Sequence, residues 1–345
     1  MTPPLTRVRR VAGTLARLPV MVAGVFVGLL WLYWWTTLRM PGRSFSGPLP
    51  PFTAEELSLA QSLEQEVRHL ALDLGERNTR HPEALEAAAA WIGLQLSAMS
   101  LEVTSLPYVI DGVTVRNLEV TFPGAAPVAP IVVVGAHYDS AIGTPGANDN
   151  GSGVASLLEL ARRLREQRGT LELRLVWFVN EEPPYFQTRN MGSLHYARGL
   201  VQQGRSIAGM LSLETMGCYR DEPGSQQYPG AVGTFFPERG NFLAFVGDDR
   251  SGALVRRALG LFRAAVPLPS EGMATGGALQ GVGWSDHWSF WQLGAPALMV
   301  TDTAPFRYQH YHRATDTPER LDYPRLARAT LGLQRVIRGL LQPSQ

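Results

Sequence analysis

Acidic and histidine side chains recur in this sequence directly after apolar stretches. The stretch GAHYDSAIGTPGANDNGSG follows four apolar residues, 131–134, and carries His137, Asp139 and Asp149. LVWFV leads into a pair of glutamates, and LSLE ends in one. Carboxylates and imidazoles are ligand types that zinc accepts in proteins. The candidates for such a site are His137, Asp139, Asp149, Glu181, Glu182, Glu214, Asp302, His310 and His312.

Several other chemistries lack their residues or motifs. The sequence has no lysine, which excludes a lysine base, a Schiff-base lysine and a P-loop lysine. It has no G-x-S-x-G, H-E-x-x-H or Walker motif. Its single cysteine, Cys218, excludes an internal disulfide and a multi-cysteine zinc site. A formal net charge of +1 offers no field that would attract nucleic acid, so we expect no nucleic-acid partner.

These candidates can form one site only if the strands that precede them end close together. Continuous apolar runs predict strands over residues 131–135, 171–179, 207–213 and 297–301. Helical spacing predicts helices over residues 153–166, 192–203 and 251–265. This alternation predicts an α/β fold with a mainly parallel, twisted mixed sheet flanked by helices on both faces. Ligands of such sheets bind beyond the carboxyl ends of the strands, where the candidates lie.

Further elements flank this alternating pattern. Thr53 and Glu56 form a possible capping box at the start of a helix over residues 53–74. The remaining predictions are a helix over 81–99, a hairpin over 101–122 that turns at Asp111-Gly112, a strand over 242–246 and a closing helix over 324–341. The loop over 218–241 is long for a compact domain, which favours a functional loop or a lid.

The N-terminal region has a different composition. Residues 18–38 contain no charge and end in clustered Trp and Tyr side chains, which predicts a transmembrane helix. Residues 1–17 are basic, which places them in the cytoplasm and the rest of the chain on the extracytoplasmic side. A cleaved signal peptide is the alternative, although no small-x-small site follows the apolar run. Residues 39–51 are predicted to be a linker and residues 52–345 the globular domain.

The motifs GAHYDS, GANDNGSGVA, VNEE, SLETMG, SDHWSF and YHRATDT, together with Gly192-Ser193, resemble the co-catalytic zinc aminopeptidase family in order and spacing. That family also contains glutaminyl cyclases and relatives of glutamate carboxypeptidase. The resemblance covers residues 52–341 and is to a membrane-anchored, bacterial-type member. It implies a zinc exopeptidase fold and two zinc ions per chain.

The resemblance also implies a role for each matching metal ligand. His137 would bind the first zinc and Asp149 would bridge both ions. Glu182 and His312 would complete the second. Glu214 is assigned to the first zinc, although the family usually has an aspartate there, so the arm is one methylene longer.

Two further residues are implied to act in the reaction. Glu181 would be the general base that takes a proton from the attacking water and passes it to the leaving amine. Asp139 would hold His137 in place by accepting its other ring N–H.

Some positions stay open. His310 competes with His312, but His312 is preferred because Asp316-Thr317 follows it as in the family. Arg313 departs from the family, which usually has a threonine after this histidine. Asp286 and His287 either line the substrate site or hold their loop.

The function implied is the removal of N-terminal residues from a peptide or aminoacyl substrate. One alternative is a glutaminyl cyclase. Another is an inactive binding domain, as in the transferrin receptor branch, although a dead site has no need of Glu181 and Glu182 side by side. A carboxypeptidase would require arginines to clamp the substrate carboxylate, and the sequence does not place them.

Overall fold

The chain divides into two units, Met1–Arg39 and Met40–Gln345. The structure, a computed structural model, describes residues 21–29, 31–277 and 279–342. In the first unit, Met21–Leu38 is a helix of mean hydropathy 1.6, long and apolar enough to cross a membrane. A signal sequence near an N-terminus meets the same criteria. The predicted cytoplasmic segment 1–17 and the first three residues of the predicted transmembrane helix lie outside the described residues.

The second unit is built on one eight-stranded mixed sheet, which confirms the predicted fold class. The strands are β1 (Thr104–Ile110), β2 (Val113–Phe122), β3 (Ile131–His137), β4 (Glu172–Phe178), β5 (Ile207–Glu214), β6 (Leu243–Gly247), β7 (Ser270–Ala274) and β8 (Ala297–Thr301). Their order across the sheet is β1-β2-β4-β3-β5-β8-β6-β7. The central strands β4, β3, β5 and β8 run parallel, so their carboxyl ends meet at one edge.

Helices cover both faces of the sheet. They are α1 (Ala54–Arg68), which continues as a π-helical turn to Leu74, α2 (Pro82–Ala98), α3 (Gly153–Leu164), α4 (Gly192–Gln202), α5 (Gly252–Ala265), α6 (His287–Trp291) and α7 (Tyr323–Leu340). Strand β3 shows the arrangement: Val132 and Val134 enter the large core beneath α1, α2, α3, α5 and α7, whereas Ile131 and Val133 enter a smaller core with α4 and α6. A continuous apolar strand therefore indicates burial on both faces.

The predicted capping box is present at the start of α1. The Glu56 N–H donates to Thr53 Oγ1 at 3.1 Å, and the Thr53 N–H donates to Glu56 Oε2 at 2.7 Å. Glu56 also accepts a hydrogen bond of 2.6 Å from Arg328 Nε of α7, and both side chains are buried. One carboxylate thus caps the first helix of the domain and ties it to the last helix.

Two elements were not predicted. Strand β7 has the sequence SEGMA, in which Gly272 and two polar residues weaken the strand pattern, and it lies at the sheet edge. Helix α6 has only five residues, too few to show helical periodicity. The long loop over 218–241 was predicted, and in the structure it contains a single 3-10 turn, Val232–Thr234.

Candidate metal centre

The sheet brings the predicted ligands to one edge. His137 and Glu214 are the last residues of β3 and β5, and Glu181 and Glu182 follow β4. The other two lie in loops: Asp149 lies in the turn Ala147–Ser152 that leads into α3, and His312 lies in the loop after β8. All are buried except His312, whose side chain is 33% exposed.

Three of these residues form a group that we call the inner set: His137, Asp149 and Glu214. His137 Nε2 lies 3.4 Å from Asp149 Oδ1 and 3.2 Å from Glu214 Oε2. The side chains are at most 6% exposed. The inner set therefore offers one imidazole and two carboxylates in a site closed to solvent.

A second group, the outer set, consists of Asp149, Glu182 and His312. His312 Nε2 lies 3.0 Å from Asp149 Oδ2 and 3.1 Å from Glu182 Oε2. Asp149 belongs to both sets and turns one carboxylate oxygen toward each histidine. This placement suits a carboxylate that is shared between two cations.

The donor atoms fit zinc. In each set the candidate ligand atoms all lie within 4.8 Å of one another. Ligand atoms about 2.0–2.1 Å from a tetrahedral zinc lie about 3.3 Å apart, close to the separations in both sets. His137 Nε2, Asp149 Oδ2 and Glu182 Oε1 are buried without a hydrogen-bond partner. A cation between these atoms would satisfy them.

The loop that carries Asp149 is tied down on two sides. Asp316 accepts the main-chain N–H of Asn148 at 2.8 Å and that of Asp149 at 3.1 Å. Asn150 Nδ2 donates to the Leu213 carbonyl oxygen at 2.8 Å. A Cβ at Gly153 would lie 2.6 Å from that same oxygen, so glycine lets the loop approach β5 beside the inner set.

Asp139 contacts both glutamates as well as His137. Its carboxylate accepts the main-chain N–H of Glu181 at 3.2 Å and that of Glu182 at 3.1 Å. The nearer partner of His137 Nδ1 is the Asp139 main-chain carbonyl oxygen at 3.1 Å, whereas the Asp139 carboxylate is 3.6 Å away. The sequence reasoning expected the carboxylate in that place, but the two N–H groups that follow β4 draw it toward them.

Sequence reasoning missed Ser285. Its hydroxyl donates to Glu214 Oε2 at 2.8 Å and lies 2.8 Å from the hydroxyl of Ser212. The SDHWSF motif, which begins at Ser285, was the available signal. This hydrogen bond orients the carboxylate of Glu214 within the inner set.

The residues whose roles the sequence left unassigned, Asp286, His287 and His310, belong to neither set. His287 is buried, its Nε2 lies 2.8 Å from the Val282 carbonyl oxygen, and burial lowers its pKa to about 4. His310 Nδ1 lies 2.9 Å from Thr315 Oγ1. Asp286 is buried, and burial raises its pKa to about 7. Asp302 accepts from Asn148 Nδ2 and thereby supports the Asp149 loop.

The carboxylates shift the pKa values of both histidines upward. Burial acts to lower the pKa of His137, but carboxylates, led by Glu214, outweigh burial and hold that pKa well above its usual range. His312 is affected in the same way, since the carboxylates of Asp149 and Glu182 outweigh burial and raise its pKa to about 10. Both imidazoles therefore lie in a strongly negative environment, which favours bound cations.

The pKa values of the acidic residues shift in opposite directions. Burial raises the pKa of Glu181 well above its usual range, and burial together with the Asp149 carboxylate raises that of Glu182 to about 8. Burial would also raise the pKa of Asp149, but its close contacts with His137 and His312 outweigh burial and lower it. Glu181 and Glu182 therefore share a raised pKa in the metal-free site, whereas Asp149 between the two histidines does not.

Several known proteins are similar to this chain in sequence or in structure. The family described as Peptidase family M28 matches residues 117–337. An uncharacterised Escherichia coli protein, YfbL, is 36% identical over 282 residues, which cover 79% of this chain and 86% of YfbL. The zinc aminopeptidase BSAP of Bacillus subtilis has a similar structure, with a TM-score of 0.66, 17% identity and coverage of 85% of this chain and 96% of BSAP.

A glutaminyl cyclase of Fimbriiglobus ruber is also similar in structure. Its TM-score is 0.57 at 17% identity, with coverage of 86% of this chain and 98% of the cyclase. An aminopeptidase and a cyclase thus share this fold, so the fold does not distinguish between the two reactions.

Proposed function

The chain belongs to peptidase family M28, and on that basis we propose that it is a zinc aminopeptidase that hydrolyses N-terminal residues from peptides. The observation that carries the proposal is the position of Asp149 between the two sets. Its Oδ1 faces His137 of the inner set, and its Oδ2 faces His312 of the outer set. A second glutamate, Glu181, adjoins the outer-set ligand Glu182 and belongs to neither set, although its carboxylate also lies within 4.8 Å of donor atoms of His137 and Glu182.

In this proposal each set holds one zinc ion. His137, Asp149 and Glu214 bind the first, and Asp149, Glu182 and His312 bind the second. Bound zinc supplies Lewis-acid polarisation of the scissile carbonyl and activates water. The protein's contribution is a buried, pre-oriented set of donors that needs little rearrangement.

Glu181 is the proposed general base. Its carboxylate is 7% exposed and lies 3.8 Å from His137 Nε2, at the boundary of the inner set. It accepts a proton from the attacking water and delivers it to the leaving amine. Asp139 positions this base, because its carboxylate holds the Glu181 and Glu182 N–H groups in place.

The direct test uses the full-length chain in detergent. We expect two zinc ions per chain and cleavage of aminoacyl p-nitroanilides rather than cyclisation of N-terminal glutaminyl peptides. Glu181→Gln should retain zinc and lose turnover by about 10²–10⁴-fold, since it removes the base alone. Glu166→Gln, an exposed site, is the matched control.

Two results would contradict this proposal. One is purified protein that lacks zinc and gains no activity when zinc is added. The other is a Glu181→Gln variant with unchanged turnover, which would reject the assigned base. Efficient cyclisation of glutaminyl peptides would favour the cyclase reaction instead.

We also propose that the N-terminal helix is an uncleaved anchor. Met21–Leu38 is apolar enough to span a bilayer, and the arginines that precede it favour a cytoplasmic N-terminus. The catalytic domain would then lie on the extracytoplasmic side. Protease accessibility in intact cells tests the orientation, and N-terminal sequencing of the mature protein distinguishes an anchor from a cleaved signal peptide.

A further inference from the structure

One row of side chains crosses the sheet from the inner set to the sheet edge. Glu214 of β5 is paired in register with Thr301 of β8, Thr301 with Ala244 of β6, and Ala244 with Glu271 of β7. Residues directly opposite in neighbouring strands project from the same face. With about 4.8 Å between strands, the row spans roughly 14 Å from Glu214 to Glu271.

This row is the floor of a trough. The next row on the same face, Met299, Val246 and Met273, also lines it. Aromatic side chains wall it, including Tyr228 and Phe236, which stack at 5.9 Å in the loop over 218–241. Glu214 and Tyr311 lie at the metal-centre end of the same trough. A group that enters from the metal centre therefore meets a long apolar passage with the small Ala244 at its middle.

The far end of the trough carries a carboxylate, Glu271, that is paired with an arginine. Glu271 lines it, and the side chain is 19% exposed. Arg263 approaches this carboxylate only to 3.5 Å. Its guanidinium donates instead to the main-chain oxygens of Pro41 at 2.9 Å and Ser270 at 2.6 Å. Arg263 offsets part of the charge of Glu271 and the Ser44 hydroxyl is a further partner, which leaves the carboxylate lone pairs for one more donor.

We propose that this trough binds the side chain of the substrate's N-terminal residue and that Glu271 selects a long basic side chain, arginine or lysine. The proposal rests on the proposed aminopeptidase function and names its substrate class. Arginine and lysine combine an apolar stem with a charged end, which matches apolar walls that lead to a carboxylate. A charge-assisted hydrogen bond to Glu271 would form only with these residues.

The geometry disfavours a short aliphatic side chain as the best substrate. Leucine would fill only the part of the trough nearest Glu214 and would leave Glu271 without a new partner. Arginine and lysine reach farther and hold a donor at their ends. The expected discrimination follows from one charge-assisted hydrogen bond, about 10- to 100-fold in kcat/KM.

The test compares isosteric substrates on the full-length, zinc-loaded protein. L-Arginyl p-nitroanilide is compared with its neutral isostere L-citrullyl p-nitroanilide, and L-lysyl with L-norleucyl. We expect the basic member of each pair to be cleaved about 10- to 100-fold better. Glu271→Gln should reduce both ratios to within about threefold, because it removes the charge that only the basic member of each pair contacts.

Further variants distinguish a change in substrate selectivity from a general loss of folded protein. Ala244→Leu should obstruct the trough and reduce cleavage of arginyl and lysyl substrates while alanyl p-nitroanilide is still cleaved. Glu271→Asp, which retains the charge, should restore part of the arginine preference. Glu166→Gln is again the control and should leave every ratio unchanged.

Calorimetry with free L-arginine and L-citrulline separates this inference from the proposed function, because it requires no turnover. Tighter binding of arginine that depends on Glu271 would support the trough even if no p-nitroanilide is cleaved. Equal binding of the two, or cleavage that favours leucine and ignores Glu271, would overturn the inference and leave the aminopeptidase proposal standing.

Discussion

The two halves of the candidate metal centre differ in how they are built. The inner set joins the ends of two central strands, and each of its side chains is at most 6% exposed. The outer set is completed by His312, which comes from a loop, has a left-handed φ of 54° and is 33% exposed. The sheet thus determines the inner half, and a solvent-facing loop closes the outer half.

This difference should affect how readily each half of the centre releases a bound zinc ion. A cation in the inner set would leave only if strand ends or the Asp149 loop moved, and these are buried and hydrogen-bonded. A cation in the outer set would need only His312 to swing outward. We therefore expect the outer half to lose its zinc first, and four experiments test this contrast.

The largest effect is expected where the two halves meet. Asp149→Ala removes the carboxylate shared by both sets, so zinc binding should weaken in both halves at once. Loss of several kcal/mol of transition-state stabilisation corresponds to at least about 10³-fold lower kcat/KM. Zinc content per chain and turnover measure the result. One zinc retained at full affinity would show that the halves do not share this ligand.

Two single substitutions, one in each half, compare how much the two histidines contribute to the unfolding free energy. His137→Ala empties a buried position and leaves buried carboxylates without their partner, so we expect a loss of about 3 kcal/mol in the unfolding free energy of the metal-free protein. His312→Ala removes a partly exposed group and should cost less than about 1 kcal/mol. Urea unfolding after chelation measures both. Equal losses would contradict the contrast.

A milder substitution affects the inner half alone. Ser285→Ala removes the hydroxyl that orients Glu214, and loss of such a supporting hydrogen bond typically weakens metal binding by about 10- to 100-fold. Chelator competition should show one weakened zinc and one unchanged zinc per chain. Ser58→Ala, an exposed site on α1, is the control. A change in the outer zinc would argue against separate halves.

The last expected effect is the pH dependence of zinc binding by the outer half. The pKa values of His312 and Glu182 are both raised, to about 10 and about 8, so this pair holds at least one proton near pH 7 in the metal-free protein. Zinc must displace each such proton, so its apparent affinity falls as pH falls, about tenfold per pH unit for each proton released. Calorimetry in two buffers at pH 6.5–8.5 counts the protons. A pH-independent affinity would contradict this mechanism.

The sequence predicted best what depends on local pattern. Strand β8 was predicted with its observed bounds, Ala297–Thr301, and β3 was predicted from its first residue, Ile131. Continuous apolar runs of this kind can be recognised without knowing what packs on them. The residues that follow the strands were recognised because parallel strands end at a common edge.

Contacts between distant segments were beyond the reach of sequence reasoning. Ser285 and Glu214 are 71 positions apart, and no periodicity links them. The row from Glu214 to Glu271 depends on the register of four strands, one of which, β7, was not predicted at all. Register follows from packing and turn geometry across the whole sheet, which a single sequence does not display.

The bond between Glu56 and Arg328 has a consequence for the order in which the domain is made. It joins residues 272 positions apart, on the first and last long helices of the domain. Helix α1 can cap itself as soon as it is synthesised, but its buried carboxylate gains its charged partner only after α7 has been added. The core beneath both helices therefore closes only after α7 has been made, and a chain cut short before α7 would expose an apolar surface open to proteolysis.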